Sequence, residues 1–339
     1  MAILVTGGAG YIGSHTVVQL LERGDEVVVI DNYSNSSPEV FKRIEAITGQ
    51  QVSVIEGDVN DRQLLESIFT DYDIKSVIHF AGYKAVGESV AKPLMYYQNN
   101  LNTTLTLLAV MQTHNCKELV FSSSATVYGD PEIIPITEQS PLSATNPYGQ
   151  TKLMIEYILK DLAQADPTMR IAVLRYFNPV GAHESGLIGE DPNGIPNNLM
   201  PFVAKVAVGQ LQQVGVFGDD YPTPDGTGVR DYIHVVDLAA GHLAALNKIS
   251  SQSGWHAYNL GTGQGHSVLE VINTFAKISN RVIPHKILPR RAGDIATCYA
   301  DVQHTSESLA WKAQADLSKM IKDHWNWQQK NPSGYKDAS

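Results

Sequence analysis

The stretch Ala2-Ile3-Leu4-Val5-Thr6-Gly7-Gly8-Ala9-Gly10-Tyr11-Ile12-Gly13 decides the fold. A short apolar strand runs into a glycine turn of spacing G-x-x-G-x-x-G. Ile12, Thr16 and Leu20, with Val17 and Leu21, then recur at helical spacing until Gly24 stops the helix. In such a strand–turn–helix unit Gly7 permits the tight turn, Gly10 lets the backbone approach a pyrophosphate, and Gly13 lets helix and strand pack closely. The helix N-terminus offers N–H donors and partial positive charge to phosphates. Three glycines could equally serve a turn without a ligand, but Asp31 weighs against that. It ends the next strand, 18 residues after Gly13, where an acid can bind both ribose hydroxyls of NAD. A 2′-phosphate beside this carboxylate meets repulsion of about 4 kcal/mol per charge at ~4 Å and intermediate dielectric. The next residue, Asn32, is not an arginine that would offset it, so NAD is expected rather than NADP.

Outward from this unit, β-branched runs at residues 26–31, 52–56, 76–81, 119–123 and 171–174 read as further strands, with helical patterns between most of them. The alternation predicts an α/β fold, a Rossmann-type doubly wound parallel sheet. From Phe177 the texture changes. Residues 177–228 are rich in Gly, Pro, Asn and Asp and read as a substrate-binding region of loops and short elements. Residues 232–236 read as a return strand and 237–248 as a helix. The last helix is expected to start with Asp316 as N-cap and to bury Leu317, Met320, Ile321 and Trp325. The expected division is a cofactor domain, 1–176 with 229–262, and a smaller discontinuous substrate domain, 177–228 with 263–339.

Composition narrows the function. The chain has 339 residues and a formal net charge of −10, which argues against general nucleic-acid or anionic-membrane binding. An anionic ligand must then be held by a few placed arginines or a helix N-terminus. The two cysteines, Cys116 and Cys298, fit no zinc spacing and no disulfide framework; no metal is expected, and the usage suits a reducing cytoplasm. The first residues read as a strand rather than a secretory leader. No apolar stretch reaches the ~20 residues a membrane helix needs.

Tyr148-Gly149-Gln150-Thr151-Lys152 sets Tyr148 and Lys152 four apart, on one helix face. Taking a proton from a sugar hydroxyl near neutral pH needs a base. Bringing a phenol from its usual ~10 to about 7 requires ~4 kcal/mol of preferential stabilisation of the phenolate. A cation ~4 Å away supplies that order of magnitude, and Lys152 is expected to provide it together with the positive nicotinamide ring. Y-x-x-x-K alone is common by chance. Ser124 adds a third member: Ser122-Ser123-Ser124 follows a strand at the carboxyl edge, where doubly wound sheets hold ligands.

With these residues in hand, the chain resembles the extended short-chain dehydrogenase/reductases, and within them the UDP-glucose 4-epimerase family. The segments that carry the resemblance are VTGGAGYIGSH, HFAGYKAVGESV, FSSSATVYGD, NPYGQTK, LRYFNPVGAH, PNNLMP, DGTGVRDYIHV and PRRAGD, in order from Val5 to Asp294. The resemblance implies interconversion of UDP-glucose and UDP-galactose with tightly held NAD. Tyr148 would act as base and then acid, Lys152 would tune it, and Ser124 would orient the sugar hydroxyl. It further implies Tyr11 and Ile12 at the pyrophosphate, Asn32, Asn35 and Ser36 near the adenosine ribose, and Asp58 and Val59 beside adenine. Phe80, Ala81, Gly82, Lys84 and Asn99 would line the middle of the cofactor, with Phe177 by the nicotinamide. Arg230 and Arg291 resemble the family's phosphate clamps. Asn178, Asn198, Leu199, Val216, Phe217, Tyr232 and Asp294 would complete the nucleotide-sugar pocket. Cys298 stands where relatives carry either tyrosine or a small residue; a small one leaves room at the sugar's 2-substituent and suggests that UDP-N-acetylglucosamine and its galacto epimer are accepted as well.

A 4,6-dehydratase of the same fold is the nearest rival. Those enzymes resemble this chain in the glycine turn and the Tyr/Lys pair, but carry an Asp-Glu pair where this sequence has Ser124-Ala125-Thr126. A non-enzymatic NAD-binding sensor would not need Tyr148, Lys152 and Ser124 together, and a purely structural protein would not explain Arg291 beside them. The helical patterns at 93–114 and 147–165 could pair across a two-fold axis, so a homodimer is expected.

Overall fold

Val27, Val28, Val29 and Ile30 lie beside Ile3, Leu4, Val5 and Thr6 in parallel register. Both runs are buried throughout, and strands apolar on both faces belong in a sheet covered on both sides. The computed structural model describes residues 1–192, 194, 196, 198–291 and 293–338; the expected substrate domain also contains 193, 195, 197, 292 and 339, which lie outside the described residues. In chain order the strands are β1 (Ala2–Thr6), β2 (Val27–Asp31), β3 (Ser53–Glu56), β4 (Ile74–His79), β5 (Glu118–Ser124), β6 (Arg170–Tyr176), β7 (Asn178–Val180), β8 (Val214–Phe217), β9 (Val229–Arg230), β10 (Tyr232–His234), β11 (Gly254–Leu260), β12 (His266–Ser267), β13 (His285–Leu288) and β14 (Thr297–Cys298). The helices are α1 (Tyr11–Arg23), α2 (Glu39–Thr48), α3 (Arg62–Asp71), α4 (Val86–Ala91), α5 (Pro93–Thr113), α6 (Pro147–Ala165), α7 (Leu199–Ala207), α8 (Val235–Ile249), α9 (Val268–Ser279), α10 (Gln303–Leu309) and α11 (Leu317–Lys330).

Seven strands form one parallel sheet in the order β11-β6-β5-β4-β1-β2-β3. Successive residues face opposite sides, as strand geometry demands. Ile3, Val5 and Val29 pack with Val17 and Leu20 of α1, Ile44 of α2 and Leu238 of α8. Leu4, Val28 and Ile30 pack with Leu65 of α3, Leu107 of α5 and Ile155 of α6. The sheet is therefore wound on both faces, as the strand–helix alternation predicts. A separate core gathers Met200 and Val203 of α7, Val216 of β8, Phe275 of α9, and Leu317, Met320, Ile321 and Trp325 of α11. Asp316 caps α11, accepting from the N–H of Lys319 at 2.8 Å.

The expected return strand requires correction. Tyr232–His234 pairs with β7 in a two-stranded sheet, and α8 begins directly after it. The strand that completes the main sheet is β11, in register with β6 from Gly254 opposite Arg170 to Leu260 opposite Tyr176. Its mixed composition, with Trp255, His256, Tyr258 and Asn259, suits an edge strand and hides it from a search for apolar runs.

Chain order reverses between β1 and β4, which are neighbours with β2 and β5 on their outer sides. Ligands of open α/β sheets bind outside the carboxyl ends at such a switch point. Here the switch point is tied from below: His79 of β4 contacts Thr6 Oγ1 of β1 at 2.7 Å through Nδ1 and Thr104 Oγ1 of α5 at 3.1 Å through Nε2.

Candidate active site

Gly7 leaves β1 with φ +71°, and a Cβ there would lie 2.8 Å from the backbone nitrogen of Ala81, just beyond β4. The two loops at the switch point can approach this closely only because Gly7 has no side chain. A Cβ at Gly13 would run into the carbonyl of Gly7 and the Cα of Gly8. Gly10 is the N-cap of α1 and supplies no side-chain cap. The first helical bond runs from Ser14 N–H to the Gly10 carbonyl at 2.8 Å, which leaves the N–H groups of Tyr11, Ile12 and Gly13 without helical acceptors. Donors free at a helix start, over a turn open to close approach, fit a dinucleotide pyrophosphate.

Asp31 stands at the end of β2 beside this turn. Its Oδ2 accepts from Ala9 N–H at 2.9 Å, and its Oδ1 accepts from Tyr33 N–H and Ser36 Oγ, each at 2.9 Å. The carboxylate thus ties the glycine turn to the loop after β2, which also carries exposed Asn35. Asn32 donates to Asp58 Oδ2 at 3.1 Å, and Val59 is buried next to it. The candidate residues on this side therefore form one rim. Across the turn, Lys84 Nζ lies 5.9 Å from the Tyr11 ring centre, and Phe80 packs its ring 4.8 Å from that of His242. Asn99 lies beside a residue that sequence reasoning missed. Asn100 accepts from Asn99 Nδ2 and Tyr83 N–H and donates to the Tyr83 carbonyl and to Thr151 Oγ1, all at 2.8–3.0 Å. It ties the loop around Gly82 to α6, the helix of Tyr148. Two adjacent asparagines inside a long helical pattern were the available signal.

α6 begins with Asn146 as N-cap, accepting from Gly149 N–H at 2.9 Å, and with Pro147 in the first turn. This start places Tyr148 at the mouth and Lys152 one turn deeper. A Cβ at Gly149 would come 3.0 Å from the Thr126 carbonyl, so the glycine lets α6 close on the segment after β5. Ser124 Oγ accepts from Thr126 N–H at 3.2 Å and Thr126 Oγ1 at 3.0 Å. Its own O–H remains available, and it hydrogen-bonds the Tyr148 hydroxyl.

Burial raises the Tyr148 phenol above its ordinary value, and the Ser124 hydrogen bond acts against that rise. Burial also lowers the Lys152 ammonium to about 7, opposed by the charge of Glu156. Lys152 Nζ donates to the Ser122 carbonyl at 2.6 Å and lies 6.0 Å from the Tyr148 ring centre. Desolvation of both side chains thus acts alongside the positive charges of Lys152 and the nicotinamide ring that the spacing invokes.

Glu156 itself was missed. It lies one further turn along the face of Tyr148 and Lys152, and its i+8 spacing from Tyr148 was legible. Its carboxylate accepts from Ser123 Oγ at 2.5 Å and from Arg175 Nη2 at 2.7 Å. Arg175 also donates to Tyr128 Oη at 2.9 Å and the Glu138 carbonyl at 3.0 Å. Burial works against the arginine's charge, and the hydrogen bonds and charge of Glu156 more than offset it.

The remaining candidates form small groups. Arg230 and Cys298 are register partners on β9 and β14, with Arg230 Nη1 donating to the Val229 carbonyl. Asn178 and Tyr232 are register partners on β7 and β10. Arg291 pairs with Asp294 at 2.8 Å and lies 4.5 Å from the Phe217 ring centre. Val216, next to Phe217, is buried in the second core. Phe177 shares an apolar cluster with Tyr128, Leu153 and Ala300, against which Cys298 packs. Asn198 and Leu199 start α7. Among the described residues no group of three or more His, Cys, Asp or Glu side chains could hold a metal ion, and no helix is long and apolar enough to cross a membrane.

Known proteins share this arrangement over the whole chain. The family model described as GDP-mannose 4,6 dehydratase matches residues 4–324. The UDP-glucose 4-epimerase of Bacillus subtilis is 60% identical over 338 residues, covering 100% of both chains. The crystal structure of the UDP-glucose 4-epimerase of Bifidobacterium longum in complex with NAD+ and UDP superposes with a TM-score of 0.96 at 58% identity, over 98% of this chain and 100% of that one. The UDP-glucose 4-epimerase of Stenotrophomonas maltophila, with bound NAD and formylated UDP-arabinopyranose, gives 0.96 at 49% identity, over 98% and 99%. The dehydratase description covers the wider group, whereas these three full-length relatives, at 49–60% identity, are UDP-glucose 4-epimerases, and the chain belongs to the UDP-glucose 4-epimerase family of extended short-chain dehydrogenase/reductases.

Proposed function

We propose that this protein interconverts UDP-glucose and UDP-galactose by oxidising the sugar at C4 and reducing the 4-keto sugar on its other face. The observation that carries this reading is the grouping of Ser124, Tyr148 and Lys152 after β5 with no carboxylate at positions 124–126. Elimination of water, the dehydratase reaction, needs a further acid and base there. NAD supplies, when bound, the acceptor and donor of hydride. Tyr148 takes the proton of the 4-hydroxyl and later returns one to the new hydroxyl. Ser124 aligns that hydroxyl through the O–H that faces Tyr148, and Lys152 biases the phenol toward giving up its proton. The Tyr11 end of α1 and Lys84 take the cofactor's phosphates, and Asp31 its ribose. Arg230 and Arg291 take the UDP pyrophosphate, with Asn178, Asn198, Leu199, Val216, Phe217, Tyr232 and Asp294 around the nucleotide. On this reading residues 1–176 with 229–262 form the cofactor domain, supported by β11 joining the main sheet, and 177–228 with 263–339 form the sugar domain.

Mixing the protein with UDP-galactose and no added cofactor, and following the sugar by proton NMR, is expected to yield UDP-glucose. Silence, repeated after NAD is added, or a deoxy-keto product, counts against epimerisation.

Acetylated sugars are a second expected substrate class. Cys298 presents a small side chain beside Arg230. The protein is expected to turn over UDP-N-acetylglucosamine, and Cys298→Tyr to abolish that activity while sparing UDP-glucose. A variant that keeps full activity on the acetylated sugar removes Cys298 from this role.

Two unpaired cysteines support a cytoplasmic location. A second copy of the chain is the expected partner. α5 and α6 pack together and expose Leu94 (67%), Leu105 (47%) and Tyr157 (50%), an apolar surface suited to a four-helix contact across a two-fold axis. Sedimentation is expected to give the mass of two chains; a monomer at working concentration refutes it.

A further inference from the structure

Glu190 is a buried carboxylate, 6% exposed, that lies between the two candidate ligand regions. Its Oε1 accepts from Asn198 Nδ2 at 2.9 Å and lies 3.7 Å from Lys84 Nζ. Among the described residues its Oε2 is buried and has no hydrogen-bond partner. Lys84 and Asn198 are both exposed, so the buried carboxylate joins two side chains that reach the surface. One belongs to the cofactor side, where Lys84 approaches Tyr11. The other belongs to the nucleotide-sugar side.

A second local arrangement is incomplete at the same place. Asn198 is the N-cap of α7, yet its side chain makes no capping bond. Asparagine is among the best N-caps when its oxygen accepts from the first turn. Here the amide is engaged with Glu190 instead. An orphaned buried acceptor and a forgone cap are each unfavourable, and such paired departures from local rules concentrate at functional sites.

The missing partner has a definite chemistry. A carboxylate oxygen accepts and does not donate, so Oε2 needs a donor. A phosphate cannot serve, because two anions would repel each other. A sugar hydroxyl can, and a nucleotide-sugar site brings several. We propose that Glu190 is a ligand-binding residue whose Oε2 accepts a hydrogen bond from a sugar hydroxyl of a bound nucleotide, with Lys84 and Asn198 holding the carboxylate in place. The proposal rests on the nucleotide-sugar reading above.

The test uses the full-length protein, Glu190→Gln and Glu190→Ala. Calorimetric titration with UDP and with UDP-glucose gives two arms, and retention of NAD through gel filtration gives the third. Losing a hydrogen bond to a charged group weakens binding by about 10- to 100-fold; that loss is expected for Glu190→Ala, and about tenfold for Glu190→Gln. A loss confined to UDP-glucose assigns a hexose hydroxyl. A loss for both uridine ligands assigns the uridine ribose. A loss confined to NAD assigns a cofactor ribose. Wild-type affinity in all three arms overturns the proposal, including when the melting temperature falls. If Glu190→Ala does not fold, Glu190→Gln decides, since it keeps the shape and an acceptor for Asn198. Failure of the wild-type protein to bind any of the three ligands would instead sink the nucleotide-sugar reading.

Discussion

Tyr148→Phe is expected to lower kcat for UDP-galactose by on the order of 1,000-fold and to leave the affinity for UDP within about threefold of wild type. The ring keeps its packing, and only the oxygen that moves the proton is removed. That oxygen acts on the reacting hydroxyl, so kcat and kcat/KM should fall together. Ser124 is a poor substitute, because both of its acceptor sites face Thr126 and it cannot take a second proton. Initial rates and a UDP titration on the same preparation decide the matter. A variant retaining a tenth or more of wild-type kcat would remove Tyr148 from the proton transfer.

Glu156→Ala is expected to cost about 3–5 kcal/mol of folding stability, because removing one partner of a buried ion pair leaves the other charge uncompensated. Arg175 and Glu156 are each 1% exposed. The substitution strips Arg175 of its carboxylate and Ser123 of its acceptor. Tyr128 and the Glu138 carbonyl stay with the arginine but carry no full charge. An exposed pair such as Arg62 with Glu66 contributes little by comparison, because water screens it. Urea unfolding read through the change in midpoint at constant slope measures the difference. The double substitution Glu156→Leu with Arg175→Met should recover much of the loss, since a buried pair exchanged for apolar groups is often neutral. A Glu156→Ala protein within 1 kcal/mol of wild type would show that the pair is not desolvated as described.

Much of this architecture was readable from residue patterns. β1 and β2 announce themselves because each is apolar on both faces, and Gly7, Gly10 and Gly13 mark a turn where backbone meets backbone. α6 was readable from the helical pattern at 147–165 and from the Tyr148–Lys152 spacing. β11 was not, because it mixes Trp255 and His256 with Asn259, a buried polar residue satisfied by Tyr128 and the Ile136 carbonyl. Asp58 and Asn99 came through family resemblance alone. Glu156, Asn100 and Glu190 are polar residues whose meaning comes from partners 17 to 106 positions away, at Arg175, Tyr83 and Lys84; the i+8 spacing of Glu156 from Tyr148 and the Asn99-Asn100 pair mark two of the positions but not their partners. The burial of Tyr148 and Lys152 also escaped, since burial is a property of the packed fold.

The pairing of β11 with β6 has a consequence for how the protein is made. Between Tyr176 and Gly254 the chain leaves the main sheet and comes back. During synthesis the first six strands therefore emerge with one flank of β6 unzipped, its row of amide and carbonyl groups open to any other nascent chain. The flank is closed only once residue 260 has cleared the ribosome. Until then the half-made protein is a template for misassociation, and late closure of this kind is slow because the partners are far apart along the chain. Shielding of this flank matters until β11 docks on β6.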